Sequence, residues 1–253
     1  MRVNCLLILG GTAEAAQLAA ASVARFGESL RVISSLAGRT GRPAIPPGEV
    51  RIGGFGGSEG LAQYLGQERI DAVIDATHPF ARQISANAAR AAEATGTKRL
   101  TLARPPWPRH PLDRWIEVGD IAAAAKVLPR VGQRIWLTVG AGEIEAFTAL
   151  AGIWFLVRLV ETPSTPLPLG PHELILGRGP FSLPAERVLI RRHAIDALVA
   201  KASGGEATFA KIEAAREASL PVVMVRRPPA EPGERVETIE EALAWLEREM
   251  SLA

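Results

Sequence analysis

Cysteine is almost missing: Cys5 is the only one in 253 residues, so no intrachain disulfide can form. It lies in the apolar run Val-Asn-Cys-Leu-Leu-Ile-Leu and reads as a small buried hydrophobe, not a reactive thiol. No apolar run reaches the ~18 residues that a membrane-spanning helix requires. The first residues pass directly into a strand-like segment, without the three regions of a secretory signal. These absences predict a soluble, cytoplasmic protein that makes no membrane contact. Net charge is only +2, which gives no reason to expect a nucleic-acid partner. Tyrosine is as scarce as cysteine. Tyr64 stands alone, and Glu68 occupies the position four residues on where a short-chain dehydrogenase needs lysine, which excludes that class. The four histidines, at 78, 110, 172 and 193, lack metal-ligand spacing, so no metal is expected. No Gly-x-Ser-x-Gly nucleophile turn occurs. Of the 29 basic residues only Lys98, Lys126, Lys201 and Lys211 are lysines. An arginine-rich surface suits carboxylates and phosphates, although codon bias in a GC-rich genome produces the same excess.

What is present is an alternation. Apolar strands are predicted over residues 3–9, 30–34, 49–52, 72–75 and 99–102, with helices over 13–25, 58–68 and 80–95, the second capped by Ser58. The proline-rich stretch 103–111, Ala-Arg-Pro-Pro-Trp-Pro-Arg-His-Pro, can continue neither element and reads as a linker. Strands then resume near 115–118, 135–138, 154–160, 173–176, 197–200 and 222–225. Helices are expected near 121–128, 144–150, 184–193, 207–218 and 239–250, with a surface loop over the prolines of 162–171. Continuous apolar strands alternating with helices form parallel sheets covered on both faces. The predicted fold class is α/β, with two Rossmann-like parallel-sheet domains facing a cleft, residues 1–104 and 105–253. Nothing in the sequence calls for a second subunit, and a monomer is the working expectation.

Four turns could carry chemistry. After the first strand come Gly10, Gly11 and Thr12, a reduced form of the dinucleotide fingerprint that would let a phosphate approach a helix N-terminus. A purely structural strand–helix turn would use the same glycines. About 20 residues later an NAD-binding fold places an acid for the ribose. Here Ser34, Ser35, Arg39 and Thr40 stand instead, a set suited to the 2′-phosphate of NADPH; the alternative is an arginine in a solvated loop. Gly53-Gly54-Phe55-Gly56-Gly57 either flanks the cofactor, with Gly54 against it, or is a plain connection. The fourth strand ends in Asp75-Ala-Thr77-His78. Ligands of open α/β sheets bind beyond the carboxyl ends of the strands. Asp75, Thr77 and His78 would thus border nicotinamide and substrate, with His78 as candidate acid; a locally bonded loop is the alternative.

In the second half, Lys201, Ser203, Gly204 and Gly205 precede a helix and form a candidate anion cradle. Arg178 and Phe181, in the glycine turn after an earlier strand, are further candidates. Each could equally be an ordinary turn.

Taken in order, Leu-Gly-Gly-Thr-Ala-Glu-Ala, Ser-Leu-Ala-Gly-Arg-Thr, Val-Arg-Ile-Gly-Gly-Phe-Gly-Gly, Asp-Ala-Thr-His-Pro-Phe-Ala, Arg-Pro-Pro-Trp, Arg-Gly-Pro-Phe and Lys-Ala-Ser-Gly-Gly resemble the precorrin-6A reductase family. The likeness extends to Arg-Arg-Pro-Pro at 226–229, nearly the whole chain. Two departures fall in the second half: Ala202, where the family usually carries Asn, and the loose turn Val-Gly-Ala-Gly at 139–142. The resemblance implies NADPH-dependent reduction of a carbon–carbon double bond in a tetrapyrrole of vitamin B12 synthesis. Its substrate would be a polycarboxylate ring, with Lys201 and arginines on its acids and Trp107 or Phe181 against its face. The first domain would hold NADPH and the second the macrocycle. Two other readings stay open: an NADPH-dependent reductase of another acidic substrate, and a non-catalytic NADP-binding regulator.

Overall fold

The computed structural model describes residues 3–38 and 45–252. In the first part of the chain, strands β1 (Asn4–Leu9), β2 (Leu30–Leu36), β3 (Glu49–Ile52), β4 (Ala72–Asp75) and β5 (Lys98–Leu102) alternate with helices α1 (Ala13–Phe26), α2 (Gly57–Gln67) and α3 (Arg82–Thr95). In the second, β6 (Arg114–Val118), β7 (Arg134–Leu137), β8 (Trp154–Leu159), β9 (His172–Leu176), β10 (Ala197–Lys201) and β11 (Pro221–Val225) accompany α4 (Ile121–Val127), α5 (Leu183–Arg192) and α6 (Ala210–Glu217). The chain closes with β12 (Glu234–Val236) and α7 (Ile239–Met250).

The strands make two six-stranded sheets, in the orders β12-β5-β4-β1-β2-β3 and β6-β11-β10-β7-β8-β9. Among the described residues every pairing is parallel. The α/β class with two Rossmann-like parallel sheets is therefore as expected.

β1 shows why both faces must be covered. Its side chains alternate, and both sets are apolar. Leu6 and Ile8 pack with Leu18 of α1 and Leu243, Trp245 and Leu246 of α7. Cys5, Leu7 and Leu9 pack on the opposite side with Leu61 and Leu65 of α2 and Ala88 and Ala91 of α3. Burial pushes the Cys5 thiol above its ordinary value, which keeps it neutral and inert.

The domain boundary differs from expectation. One compact unit comprises residues up to Pro105 together with Pro228–Ala253, and the other Pro106–Arg227. β12 joins the edge of the first sheet, pairing Glu234 with Leu100 and Val236 with Leu102. The strand is three residues long, and two of them, Glu234 and Arg235, are charged and exposed, so it carries no apolar period to be read. Local boundaries also differ. Gly56, in the left-handed region, takes the cap position of α2 in place of Ser58. The helix expected at 144–150 is a 3-10 segment, Ala141–Phe147, and the one expected at 207–218 is broken by the 3-10 turn Glu206–Thr208 before α6.

Candidate active site

In the first sheet the strand order reverses at β1: β2 lies on one side and β4 on the other. A crevice at such a point is where doubly wound folds take dinucleotides. The Gly10 N–H donates to the Ser35 carbonyl at 2.9 Å, and a Cβ there would meet Ala15, Leu36 and Ser35 at 3.4–3.5 Å. Gly11 has φ of +104° with nothing around its Cβ position, so its backbone is bare. Thr12 Oγ1 accepts from the Ala15 N–H at 3.1 Å, capping α1, and donates to the Ala76 carbonyl at 2.8 Å. One hydroxyl thus ties the turns after β1 and β4 together. The positive end of a 14-residue helix points out beyond them.

The turn after β4 is organised by Asp75. Its Oδ1 accepts from the Thr77 N–H at 3.1 Å and from Thr77 Oγ1 at 2.6 Å, and its side chain is buried. His78 Nδ1 accepts from the Phe80 N–H at 3.2 Å. Asp75, Thr77 and His78 therefore share one turn beside Gly10–Thr12, as the sequence suggests, but Asp75 shapes the loop. A shallow hollow lies here, bordered by Thr12, Ala76, Thr77 and Pro79. Arg104 and Glu14 close its rim, with Arg104 Nη1 donating to both carboxylate oxygens at 2.9 Å. Sequence reasoning missed that pair, because the partners are 90 residues apart and neither sits in a recognisable pattern.

Ser34 and Ser35 do not reach the tip of β2. The strand runs on to Leu36, both serines are buried within it, and Ser34 Oγ has no hydrogen-bond partner among the described residues. Arg39 and Thr40 lie outside the described residues. The glycine stretch after β3 is held by Arg51, whose Nη1 and Nη2 donate to the Gly53 and Gly54 carbonyls at 2.5 and 2.8 Å. The same guanidinium lies 3.8 Å from the Phe55 ring centroid. Gly54 itself is exposed and has room for a side chain.

The second sheet reverses between β7 and β10. Lys201 ends β10, and its ammonium is paired: Nζ donates to Glu143 Oε1 and Oε2 at 3.1 and 2.9 Å. Glu143, in the segment after β7, also accepts from the Gly140 N–H at 2.8 Å. A carboxylate of the chain thus already sits on Lys201, which the sequence presents as bare positive charge. Ser203 is buried and follows closely, with its N–H donating to the Lys201 carbonyl at 2.6 Å. Gly204 and Gly205 have φ of +65° and +76°. The Phe181 N–H donates to the Ala207 carbonyl at 3.1 Å, which brings the Arg178–Phe181 turn against the segment following this loop. Phe181 rests on the Arg158 guanidinium at 3.8 Å. Arg158 is locked by a buried two-oxygen pair with Glu186, at 2.6 and 3.1 Å. Arg178 is exposed, 3.8 Å from Glu161.

Parallel sheets with a glycine turn at a strand-order reversal define the Rossmann-like class of α/β proteins. Within it, a family described as precorrin-6x reductase CbiJ/CobK matches residues 5–247. The precorrin-6A reductase of Rhodococcus erythropolis is 48% identical over 243 residues, covering 95% of this chain and 96% of that protein. A solved structure, CobK precorrin-6A reductase, superposes with a TM-score of 0.92 at 41% identity, covering 98% and 97% of the two chains. The cobalt-precorrin-6A reductase of Salmonella typhimurium (strain LT2) is 30% identical, with 90% and 89% covered. The chain belongs to the CbiJ/CobK family, the precorrin-6A reductases of cobalamin biosynthesis.

Proposed function

We propose that the chain reduces one carbon–carbon double bond of metal-free precorrin-6A at the expense of NADPH. The carrying observation is the β1–β4 reversal, where Gly10, Gly11 and Thr12 leave backbone exposed beneath the N-terminus of α1. A pyrophosphate suits that turn: Gly10 lets it pack closely on Ala15, Leu36 and Ser35, and Gly11 has open space at its Cβ position and a backbone that L-residues rarely adopt. NADPH, when bound, supplies a hydride. Gly10, Gly11 and Thr12 would hold its phosphates and Arg39 with Thr40 its 2′-phosphate.

On this reading Thr77 and Asp75 fix the turn that borders the nicotinamide end. The loop of Lys201, Ser203, Gly204 and Gly205 receives a carboxylate of the macrocycle, which takes the place of Glu143 on Lys201. Phe181, stiffened by Arg158 beneath it, offers a flat apolar face to the ring, and Arg178 an exposed charge to an outer acid. The metal-free substrate is supported by the higher identity to the relative named for precorrin-6A than to the relative named for the cobalt form.

The test is turnover with each macrocycle and each nucleotide, followed by mass measurement. NADPH should be oxidised only when a macrocycle is present, most efficiently with precorrin-6A, which should gain two hydrogens. NADH and cobalt-precorrin-6A should be poorer partners. No oxidation with precorrin-6A, or equal efficiency with the cobalt form, would contradict the proposal.

A further inference from the structure

The chain enters the second unit at Pro106 and leaves it at Arg227. A side chain at each of these points is bonded to the same turn. Trp107 Nε1–H donates to the Gly205 carbonyl at 2.6 Å. Arg227 Nε donates to the Ala202 carbonyl at 2.6 Å, and its Nη2 to the Ser203 carbonyl at 2.8 Å. The carbonyls of Ala202, Ser203 and Gly205 are thus held by two residues that are distant in sequence from the turn.

Neither donor can swing away cheaply. The Trp107 ring is buried in the core cluster that holds Trp136, Ile212 and Met224, 5.9 Å from the Phe209 ring. Arg227 spans two successive carbonyls with a planar fork, a geometry that a lysine ammonium does not reproduce. The turn itself is soft: Gly204 and Gly205 are both at positive φ, and paired glycines have many alternative conformations. A trans peptide points its N–H opposite to its carbonyl. Fixing the Ser203 and Gly205 carbonyls therefore fixes the directions of the Gly204 and Glu206 N–H groups.

We infer that Trp107 and Arg227 are positioning residues for the substrate. They set the 202–205 turn so that the Gly204 and Glu206 N–H groups and Lys201 receive one macrocycle carboxylate in a fixed orientation. The inference rests on the proposed role of residues 201–205 as that cradle. A role in folding alone would lower stability without singling out one of the two substrates.

The experiment compares W107F, which keeps an aromatic ring and loses the donor, R227K, the double variant and K201Q. KM and kcat are measured for precorrin-6A and for NADPH, with urea unfolding alongside. W107F and R227K should each raise KM for precorrin-6A on the order of 3- to 10-fold, the effect of one or two lost hydrogen bonds. KM for NADPH and kcat should stay within about twofold. The double variant should fall short of the product of the two single effects, because both act through one turn. If K201Q raises KM for precorrin-6A and neither W107F nor R227K does, the positioning role is wrong while the cradle stands. If K201Q also leaves KM unchanged, the cradle reading falls and the positioning role with it. Parallel rises in both KM values would show a general structural effect and overturn the inference. Should R227K fail to fold, W107F decides by the same criteria.

Discussion

In the turn after β4, the Phe80 N–H donates to His78 Nδ1, so a neutral imidazole carries its proton on Nε2. Charging the ring would put a second proton on Nδ1 and remove that acceptor. We propose that His78 orients substrate through Nε2–H with water as the proton source; the acid role suggested by its position in the sequence is the alternative that the following test separates. Asn at 78 can keep an acceptor near Nδ1 and loses Nε2–H. We expect His78→Asn to lower kcat/KM about 10-fold, the effect of one lost orienting hydrogen bond, with the shape of the pH–rate profile unchanged. Loss of a limb near neutral pH would instead restore the acid role. Ser34 teaches the converse lesson. Its hydroxyl chemistry is legible in the sequence, but the side of the strand it faces, and the strand's extension to Leu36, are not. A residue's type announces what it could bind; whether it reaches a ligand depends on strand length and parity.

At the scale of elements, strands rich in β-branched and aliphatic residues were legible to within a residue or two, as were helices with side-chain caps such as Thr12 and Thr238. β12 was not, since its place is set by pairing with β5 and not by its own apolar content. Neither was the destination of α7. Its amphipathic stripe, with Ala242, Leu243, Trp245, Leu246 and Met250 buried, shows that it packs somewhere, and only the structure shows that it packs against α1 and β1 of the first unit. Trp245 is almost fully buried there. Trp245→Ala should cost about 3–5 kcal/mol, the range for large-to-small changes of a buried aromatic residue, read by urea unfolding. NADPH binding should weaken with it, because α7 backs the helix whose N-terminus faces the proposed cofactor cradle. A loss below about 1 kcal/mol would mean that the C-terminal helix does not complete this core.

For the whole molecule, two parallel sheets were legible because continuous apolar strands alternating with helices admit few other solutions. The partition of the chain between them was not, since the return of residues 228–253 is a long-range event with no local signal. The glycine turns were visible as candidates. Their ranking comes from topology: Gly10–Thr12 and Lys201–Gly205 each sit where a strand order reverses, whereas Gly53–Gly57 follows an edge strand. That topological ranking is also what the account stands on. A crystal structure of the complex with NADP⁺ tests it most directly. The pyrophosphate should lie within hydrogen-bond distance of the backbone N–H groups of Gly11, Thr12 or Ala13, beside the Thr77 turn. A nucleotide bound elsewhere, or those N–H groups left facing solvent in the complex, would contradict it.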